Sequence, residues 1–249
     1  NKCRNHRLRA VFNSGVKAEN NFAESVFDVA VRRHIRDKKN PYVEFPELTF
    51  PMARFSGLRD AKRGFAVLGG GLHEYETFAD GKYALTITRA YENKICTSGD
   101  FDLEYKPGDL SQGIGSHSYK YALCFGDFGE DYELLFKQAD EFSAPLLAAE
   151  TKSRKGGKLP LSASFMSLEG GAIQLSAAKK AARSNSISVR LFNPSSEAKK
   201  CVLKFAKPVK EAKLCNLNEE ASKRAKLANG GVVVELAPKK IQTILVDLK

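Results

Sequence analysis

The sequence predicts an all-β protein, in which a large antiparallel β-sandwich is followed by a small one. Residues Ile187–Phe192 alternate apolar and polar side chains and stop at Asn193-Pro194, which is typical of a half-buried strand that runs into a turn. Other short segments rich in Val, Ile, Phe and Tyr are separated by turn residues such as Asp80-Gly81, a pattern that favours a β-sandwich. Only Asp131–Glu141 has the period of an α-helix, with acidic residues near its amino end, and it predicts a short connecting helix.

The same signals, taken in chain order, define the predicted strands. These are His6–Phe12, Val26–Ile35, Glu44–Phe55, Gly64–Leu68, Tyr83–Thr88, Ser118–Phe125, Ile173–Ala177, Ile187–Phe192, Lys200–Phe205, Ala212–Asn216, Val232–Leu236 and Ile241–Val246. The polar tract Thr151–Lys158 predicts an exposed loop, because its backbone is costly to bury. A boundary is expected at Gly170-Gly171, so residues 1–169 form part of the large domain and residues 170–249 form the small C-terminal sandwich.

Length and composition limit the class of protein. The 249 residues are 43% hydrophobic and can build real cores. No run approaches the roughly 20 apolar residues of a membrane span, and the first residues lack the apolar segment of a signal peptide. The chain opens without Met and soon enters a strand pattern, so we expect a piece of a longer polypeptide.

The five cysteines are widely spaced without a C-x-x-C pair, which favours free, mostly buried thiols and a reducing compartment.

The net charge of +11 is unevenly distributed. Residues 151–249 hold 20 Lys or Arg and 7 Asp or Glu, whereas residues 1–150 hold 20 and 22. A nucleic-acid surface is one interpretation of this asymmetry. Lysines scattered between apolar strand positions, without an aromatic stacking platform, are explained more simply as solvated strand faces. We therefore expect no nucleic-acid partner.

Three residues are candidates for contact with a substrate. Glu74 and Glu76 lie two positions apart, so on a strand both side chains leave the same face and offer the carboxylate pair that glycoside hydrolysis needs. The alternative is an edge strand with its polar face in water, or an ion pair of Glu74 with a nearby arginine. Arg89 ends an apolar strand and either donates forked hydrogen bonds to sugar hydroxyls or pairs with Glu74 or Glu76.

The sequence lacks the motifs that are typical of a metal site or of a catalytic nucleophile. The four histidines never occur at the spacing of a zinc site, so no metal site is expected within this chain. There is no G-x-S-x-G elbow, and the glycines of Gly113–His117 lack the lysine and helix of a phosphate loop. No catalytic residue is assigned.

An ordered series of motifs along most of the chain resembles the carboxy-terminal region of the family 38 retaining α-mannosidases. The series comprises Asn5–Phe12, Ser25–Val29 with Arg32-Arg33, Asp60–Leu68, Gly71–Glu76, Leu85–Arg89, His117–Leu123, Phe165–Leu168, Ala177–Lys180 and Arg190–Pro194.

The resemblance implies a zinc-dependent exo-α-mannosidase that removes terminal α-linked mannose, with its zinc and its nucleophile in a catalytic domain upstream of this chain. This chain would be the non-catalytic β-rich part, related to the galactose-mutarotase-like supersandwich, and would pack against that domain. Arg89 is the position that resembles the arginine this module contributes to the sugar site. Expected partners are the upstream domain, a mannose-containing oligosaccharide and further copies of the protein in a homo-oligomer, with no membrane partner. The lysine-rich composition and the free thiols favour a bacterial cytoplasmic location.

The sequence departs from the family pattern at one position before the strand that carries Glu74. His73 stands where bacterial relatives often carry proline, which predicts a looser backbone there. An autonomous carbohydrate-binding sandwich is the alternative function, although the chain has no Trp for an exposed aromatic platform. A nucleic-acid binder is the third and weakest alternative.

Overall fold

A computed structural model describes residues 1–33, 48–91, 109–129, 131–152, 156–158 and 160–249. The described chain is almost entirely β-structure in four antiparallel sheets, which confirms the predicted fold class. It divides into two compact units. The first comprises residues 1–25 and 30–127, and the second comprises residues 26–29 and 128–249.

The first unit contains two sheets. Its strands are β1 (Arg7–Asn13), β2 (Asn20–Ser25), β3 (Asp28–Arg33), β4 (Phe50–Pro51), β5 (Phe55–Arg59), β6 (Gly64–Leu68), β7 (Glu74–Thr77), β8 (Lys82–Arg89) and β9 (Ala122–Gly126), with a 3₁₀ turn at Asp109–Gln112. The strand orders are β1-β8-β7-β4 and β3-β2-β5-β6-β9. The first residues of β3 group with the second unit.

Aromatic side chains fill the space between these two sheets. Tyr75 and Tyr83 are fully buried and stack with ring centroids 5.6 Å apart, and Phe65 packs edge-on against Tyr83 at 5.6 Å. Each tyrosine hydroxyl has a hydrogen-bond partner, since Tyr75 donates to Asn21 and Tyr83 shares a 2.6 Å bond with Ser56. Burial raises the pKa of Tyr75 to about 12 and raises that of Tyr83 further, so both stay neutral. This core holds the inner face of the β1-β8-β7 sheet in place.

The described residues of the second unit form one helix and two further sheets. Its elements are α1 (Glu133–Ser143), β10 (Met166–Glu169), β11 (Gln174–Lys180), β12 (Ile187–Phe192), β13 (Lys199–Phe205), β14 (Val209–Cys215), β15 (Ala221–Arg224), β16 (Lys226–Ala228), β17 (Gly231–Leu236) and β18 (Ile241–Leu248). The strand orders are β10-β13-β17-β16 and β11-β12-β18-β14-β15. The core between them contains Val189, Leu191, Leu203, Val232 and Ile244, all fully buried. The C-terminal strands therefore enclose one hydrophobic core, as a small sandwich requires.

Several predicted elements need correction. The strand predicted at Val26–Ile35 begins only at Asp28, because the chain reverses at Phe27, which has a left-handed backbone (φ 62°). Its last two residues, 34–35, lie outside the described residues. The strand predicted at Ser118–Phe125 begins at Ala122. Of the segment Glu44–Phe55, residues 44–47 lie outside the described residues. Its remainder is β4 and the first residue of β5, which belong to different sheets, so it is not one strand.

A buried acid fixes the crossing between β4 and β5. The Glu24 carboxylate accepts the Arg54 backbone N–H at 3.0 Å and pairs with the Arg54 guanidinium at 2.6 Å, while the Glu24 carbonyl accepts the Ala53 N–H at 2.9 Å. These bonds satisfy the backbone where it leaves one sheet for the other. Hydrophobic alternation carries no signal for such a crossing.

Other predictions hold in outline. The helix predicted at Asp131–Glu141 is α1, displaced by two residues because Tyr132 before it has a left-handed backbone (φ 53°). The described ends of the tract Thr151–Lys158 are exposed coil, and its residues 153–155 lie outside the described residues. The boundary expected after residue 169 stays a prediction, and α1 with β10 precede it in the second unit.

Candidate functional site

The three candidate residues lie on neighbouring strands of one sheet. Glu74 and Glu76 are on β7 and Arg89 ends β8, and these strands pair with Tyr75 opposite Leu85. Because side chains alternate across a strand, Tyr75 enters the core and both glutamates leave by the outer face. The sequence prediction that Glu74 and Glu76 share a face therefore agrees with the arrangement found.

Glu74 is surrounded by hydrogen-bond donors. Arg7 of β1 pairs with it at 2.8 Å, the Thr86 hydroxyl donates to it at 2.7 Å, and Arg89 approaches it at 3.3 Å. Arg7 also donates to Thr86 from Nη2 at 2.8 Å, so the contacts form a closed network across β1, β8 and β7. About 29% of the Glu74 side chain is exposed, which leaves this network open to a ligand.

Glu76 has a different environment. Its carboxylate forms a very short ion pair with Arg9 and only 10% of its side chain is exposed. A bulge between Leu8 and Arg9 shifts the register of β1 against β8, so that Arg9 lies opposite Thr86. Each of the two glutamates therefore has its own arginine, which is the ion-pair alternative that the sequence left open. β7 is also not an edge strand, because β4 pairs with its other side.

Arg89 is the most accessible of the three candidates. Half of its side chain is exposed, and its contact with Glu74 is longer than that of Arg7. An exposed ion pair of this length contributes little to stability. Within the described residues, its guanidinium bonds through Nη2 alone, so further N–H groups remain for a ligand.

A polar and aromatic cluster adjoins the end of β8. The Thr88 hydroxyl lies 2.7 Å from the Tyr119 hydroxyl, and the His117 ring stacks on the Tyr119 ring with centroids 6.0 Å apart. Tyr119 is 40% exposed, so one aromatic surface faces solvent. Sequence reasoning missed this cluster, and it also missed Arg7, because residues this far apart in the chain show no mutual signal before the strands pair.

His73 does not loosen the backbone, contrary to the expectation from its replacement of proline. Its Nδ1 lies 3.2 Å from the Met52 carbonyl and 3.1 Å from the Ala53 carbonyl, and its own carbonyl accepts the Met52 N–H at 3.0 Å. The imidazole supplies side-chain hydrogen bonding that proline lacks. The segment before β7 is therefore tied to the β4–β5 connection.

The described residues contain no group of three or more His, Cys, Asp or Glu side chains that could hold a metal ion. No helix among them is long and apolar enough to cross a bilayer. Cys3, Cys124, Cys201 and Cys215 are free thiols, and all but Cys3 are buried, which confirms the prediction for the cysteines that the structure describes.

Known proteins are similar to this chain over different parts of its length. Residues 172–244 match the glycosyl hydrolase family 38 C-terminal β-sandwich domain. A 149-residue segment, 60% of this chain, is 28% identical to a putative mannosylglycerate hydrolase from Halalkalibacterium halodurans and spans 14% of that relative.

Solved structures extend the similarity to nearly the whole chain. An α-mannosidase from Enterococcus faecalis V583 superposes with a TM-score of 0.78 and 26% identity over 98% of this chain. A second family 38 glycosyl hydrolase structure from Enterococcus faecalis gives a TM-score of 0.77 and 26% identity over 99% of this chain. This chain spans only 26% and 27% of those two proteins. Residues 172–244 are thus similar to the C-terminal β-sandwich domain of glycosyl hydrolase family 38, and nearly the whole chain is similar to a structure from that family, as the order of its sequence motifs predicted.

Proposed function

We propose that this chain is the non-catalytic C-terminal portion of a retaining exo-α-mannosidase that hydrolyses terminal α-linked mannose. The observation that carries the proposal is the match of 98% of this chain to 26% of an α-mannosidase. On this proposal the nucleophile and the zinc ion belong to a catalytic domain outside this chain, and the β-rich units support that domain.

Arg89 is the residue that we propose to reach the sugar. Arg7 and Thr86 already donate hydrogen bonds to the Glu74 carboxylate. Glu74 therefore orients Arg89 without engaging all the N–H donors of the Arg89 guanidinium. A guanidinium donates from a planar fork, which suits adjacent hydroxyl groups of a pyranose. Glu74 completes the substrate contact as an acceptor, whereas Glu76 positions Arg9 in a separate ion pair on the same face of the sheet.

The test compares the chain with the intact enzyme on an aryl α-mannoside in the presence of zinc. The purified chain should show no turnover above the blank, and the intact enzyme should be active. Arg89→Ala in the intact enzyme should lower kcat/KM by roughly 10- to 100-fold, since a hydrogen bond to a charged group contributes about 1.5–3 kcal/mol. Arg89→Lys should retain part of the activity.

The matched control is Arg63→Ala, which removes another exposed arginine paired with a nearby acid, Asp60. It should leave kcat/KM unchanged. Enzyme-like turnover by the chain alone would refute the non-catalytic assignment. Equal activity of the Arg89→Ala and parent enzymes would refute the role of the arginine while leaving that assignment intact.

The exposed Tyr119 face favours a second candidate, an autonomous carbohydrate-binding module. Tyr119 and His117 offer a small aromatic surface beside the Thr88 hydroxyl, which suits an amphipathic sugar ring. Calorimetric titration of the chain with mannose oligomers distinguishes the candidates. Submillimolar binding that Tyr119→Ala abolishes would favour the module, and no binding by the chain alone would favour the enzyme portion.

A further inference from the structure

A cleft of about 490 Å³ opens at one end of the small sandwich. The turn between β13 and β14, the start of β12 and the end of β18 converge there. Two backbone bonds fix its walls: Ala206 N–H donates to the Phe165 carbonyl at 3.0 Å, and Lys249 N–H donates to the Pro208 carbonyl at 2.9 Å. The volume lies within the range of about 300–1,000 Å³ of small-molecule sites.

Apolar side chains line one part of this cleft. Ile187, Val246 and Leu248 are at least partly buried, and they belong to the paired strands β12 and β18. Phe165 is 60% exposed and packs edge-on against Phe205, with ring centroids 6.0 Å apart and an interplanar angle of 83°. An aromatic ring held in this way offers its face to a ligand at little entropic cost.

The remaining lining is basic. Lys207, Lys210 and Lys249 line the cleft with one acid, Asp247, and the amide of Asn185. None of these three lysines has an ion pair with any residue that the structure describes. Elsewhere in the same unit, six lysines have carboxylate partners within 4 Å: Lys179, Lys199, Lys200, Lys204, Lys213 and Lys239. Among the described residues, the lining of the cleft therefore has three lysines and one acid, which is a net positive charge.

We propose that this cleft binds an anionic saccharide, a sugar ring that carries a phosphate or carboxylate group. The lysine ammonium groups fit the anion, because ammonium–oxyanion contacts are charge-assisted hydrogen bonds. Phe165 and the apolar wall fit the less polar face of the ring, and the Asn185 amide fits a hydroxyl group. The concave shape and the single exposed ring favour a compact ligand over a nucleic acid, which needs an extended basic groove with successive stacking platforms.

The test is a calorimetric titration of the chain at low ionic strength with mannose 6-phosphate and glucuronate. Mannose and inorganic phosphate serve as the neutral and the sugar-free probes. The anionic sugars should bind at least about tenfold more tightly than either of these probes, because only they engage both parts of the cleft. Their binding should weaken as salt is added.

The double variant Lys207→Glu/Lys210→Glu should weaken binding of the anionic sugars by at least about tenfold. The charge-matched control Lys223→Glu/Lys240→Glu, at exposed positions that do not line the cleft, should leave it unchanged. Phe165→Ala should reduce sugar phosphate binding towards that of inorganic phosphate, and it provides a test without any change of charge.

Three outcomes would overturn the proposal. Equal affinity for inorganic phosphate and mannose 6-phosphate would leave only an anion site. Equal losses in the two lysine double variants would indicate a general charge effect. Tighter binding of a short DNA duplex or an acidic peptide, lost in Lys207→Glu/Lys210→Glu, would assign the cleft to a macromolecule. The measurement is direct binding, so its result does not depend on the mannosidase proposal.

Discussion

Replacing Asn193 by alanine should destabilise the small sandwich more than any surface change, because this side chain joins its two sheets. Asn193 follows β12 and is completely buried. Its Nδ2 donates to the carbonyls of Glu197, Leu236 and Ala237 at 2.7, 3.1 and 3.1 Å. Its Oδ1 accepts the backbone N–H and the hydroxyl of Ser195 at 3.0 and 2.8 Å.

The expected loss follows from these contacts. Alanine removes both the donor and the acceptor. The Glu197 carbonyl keeps the Ser195 hydroxyl as a donor at 2.9 Å, whereas the carbonyls of Leu236 and Ala237 lose the Asn193 amide, each at a cost of about 1–3 kcal/mol. Partial solvation of Glu197 and Ala237 limits the total, so Asn193→Ala should lower the free energy of unfolding by roughly 3–5 kcal/mol. With a urea m-value of about 2 kcal/mol/M, the midpoint should fall by roughly 1.5–2.5 M.

Urea unfolding followed by far-ultraviolet circular dichroism measures this shift, since the chain has no Trp. The control is Asn216→Ala, because Asn216 makes a similar set of turn bonds to Asn218 and Glu220 but is exposed. Water can replace those bonds, and the control should lose less than about 1 kcal/mol. Equal midpoint shifts for the two variants would refute the argument that burial makes the Asn193 network decisive.

Three further predictions concern packing and charge. Gly57→Ala should prevent folding of the first unit, because its Cβ would lie 2.1 Å from a backbone carbonyl of β6. In the control Gly15→Ala the new Cβ meets no atom within 4 Å, so this variant should cost only about 1–2 kcal/mol for its positive φ. A Gly57→Ala chain that is folded by circular dichroism would contradict this prediction. Arg9→Met should lower the free energy of unfolding in urea by about 2–4 kcal/mol, since it leaves the mostly buried Glu76 carboxylate unpaired. Adding Glu76→Gln to the same chain should recover part of this loss. No recovery would show that the unpaired charge is not the cause. The pKa of Glu219 is lowered from 4.5 to about 2, chiefly by its hydrogen bond from Lys179. The contribution of Glu219 to stability is therefore complete above pH 4.5 and is lost as the pH falls towards 2. The difference in melting temperature between the parent and Glu219→Gln should shrink over that interval, and a constant difference would contradict the assignment.

The sequence by itself determined the fold class and most of the small sandwich. Alternation of apolar and polar residues over Ile187–Leu191 fixes which side chains enter the core, because a slip of one residue would turn Val189 and Leu191 outward. It also identified α1, and it placed Glu74 and Glu76 on one face of β7, since a period of two is a local property of a strand.

The tertiary structure decided which strands pair, and with that it decided the site. Arg7 and Glu74 are separated by most of the first unit in sequence, and they meet only because β1 and β7 both pair with β8. The crossing from β4 to β5 likewise depends on the Glu24 carboxylate, which belongs to β2 and is distant from the crossing in sequence. Such contacts arise from long-range hydrogen bonding and from the burial of charge, and the local pattern of side chains specifies neither.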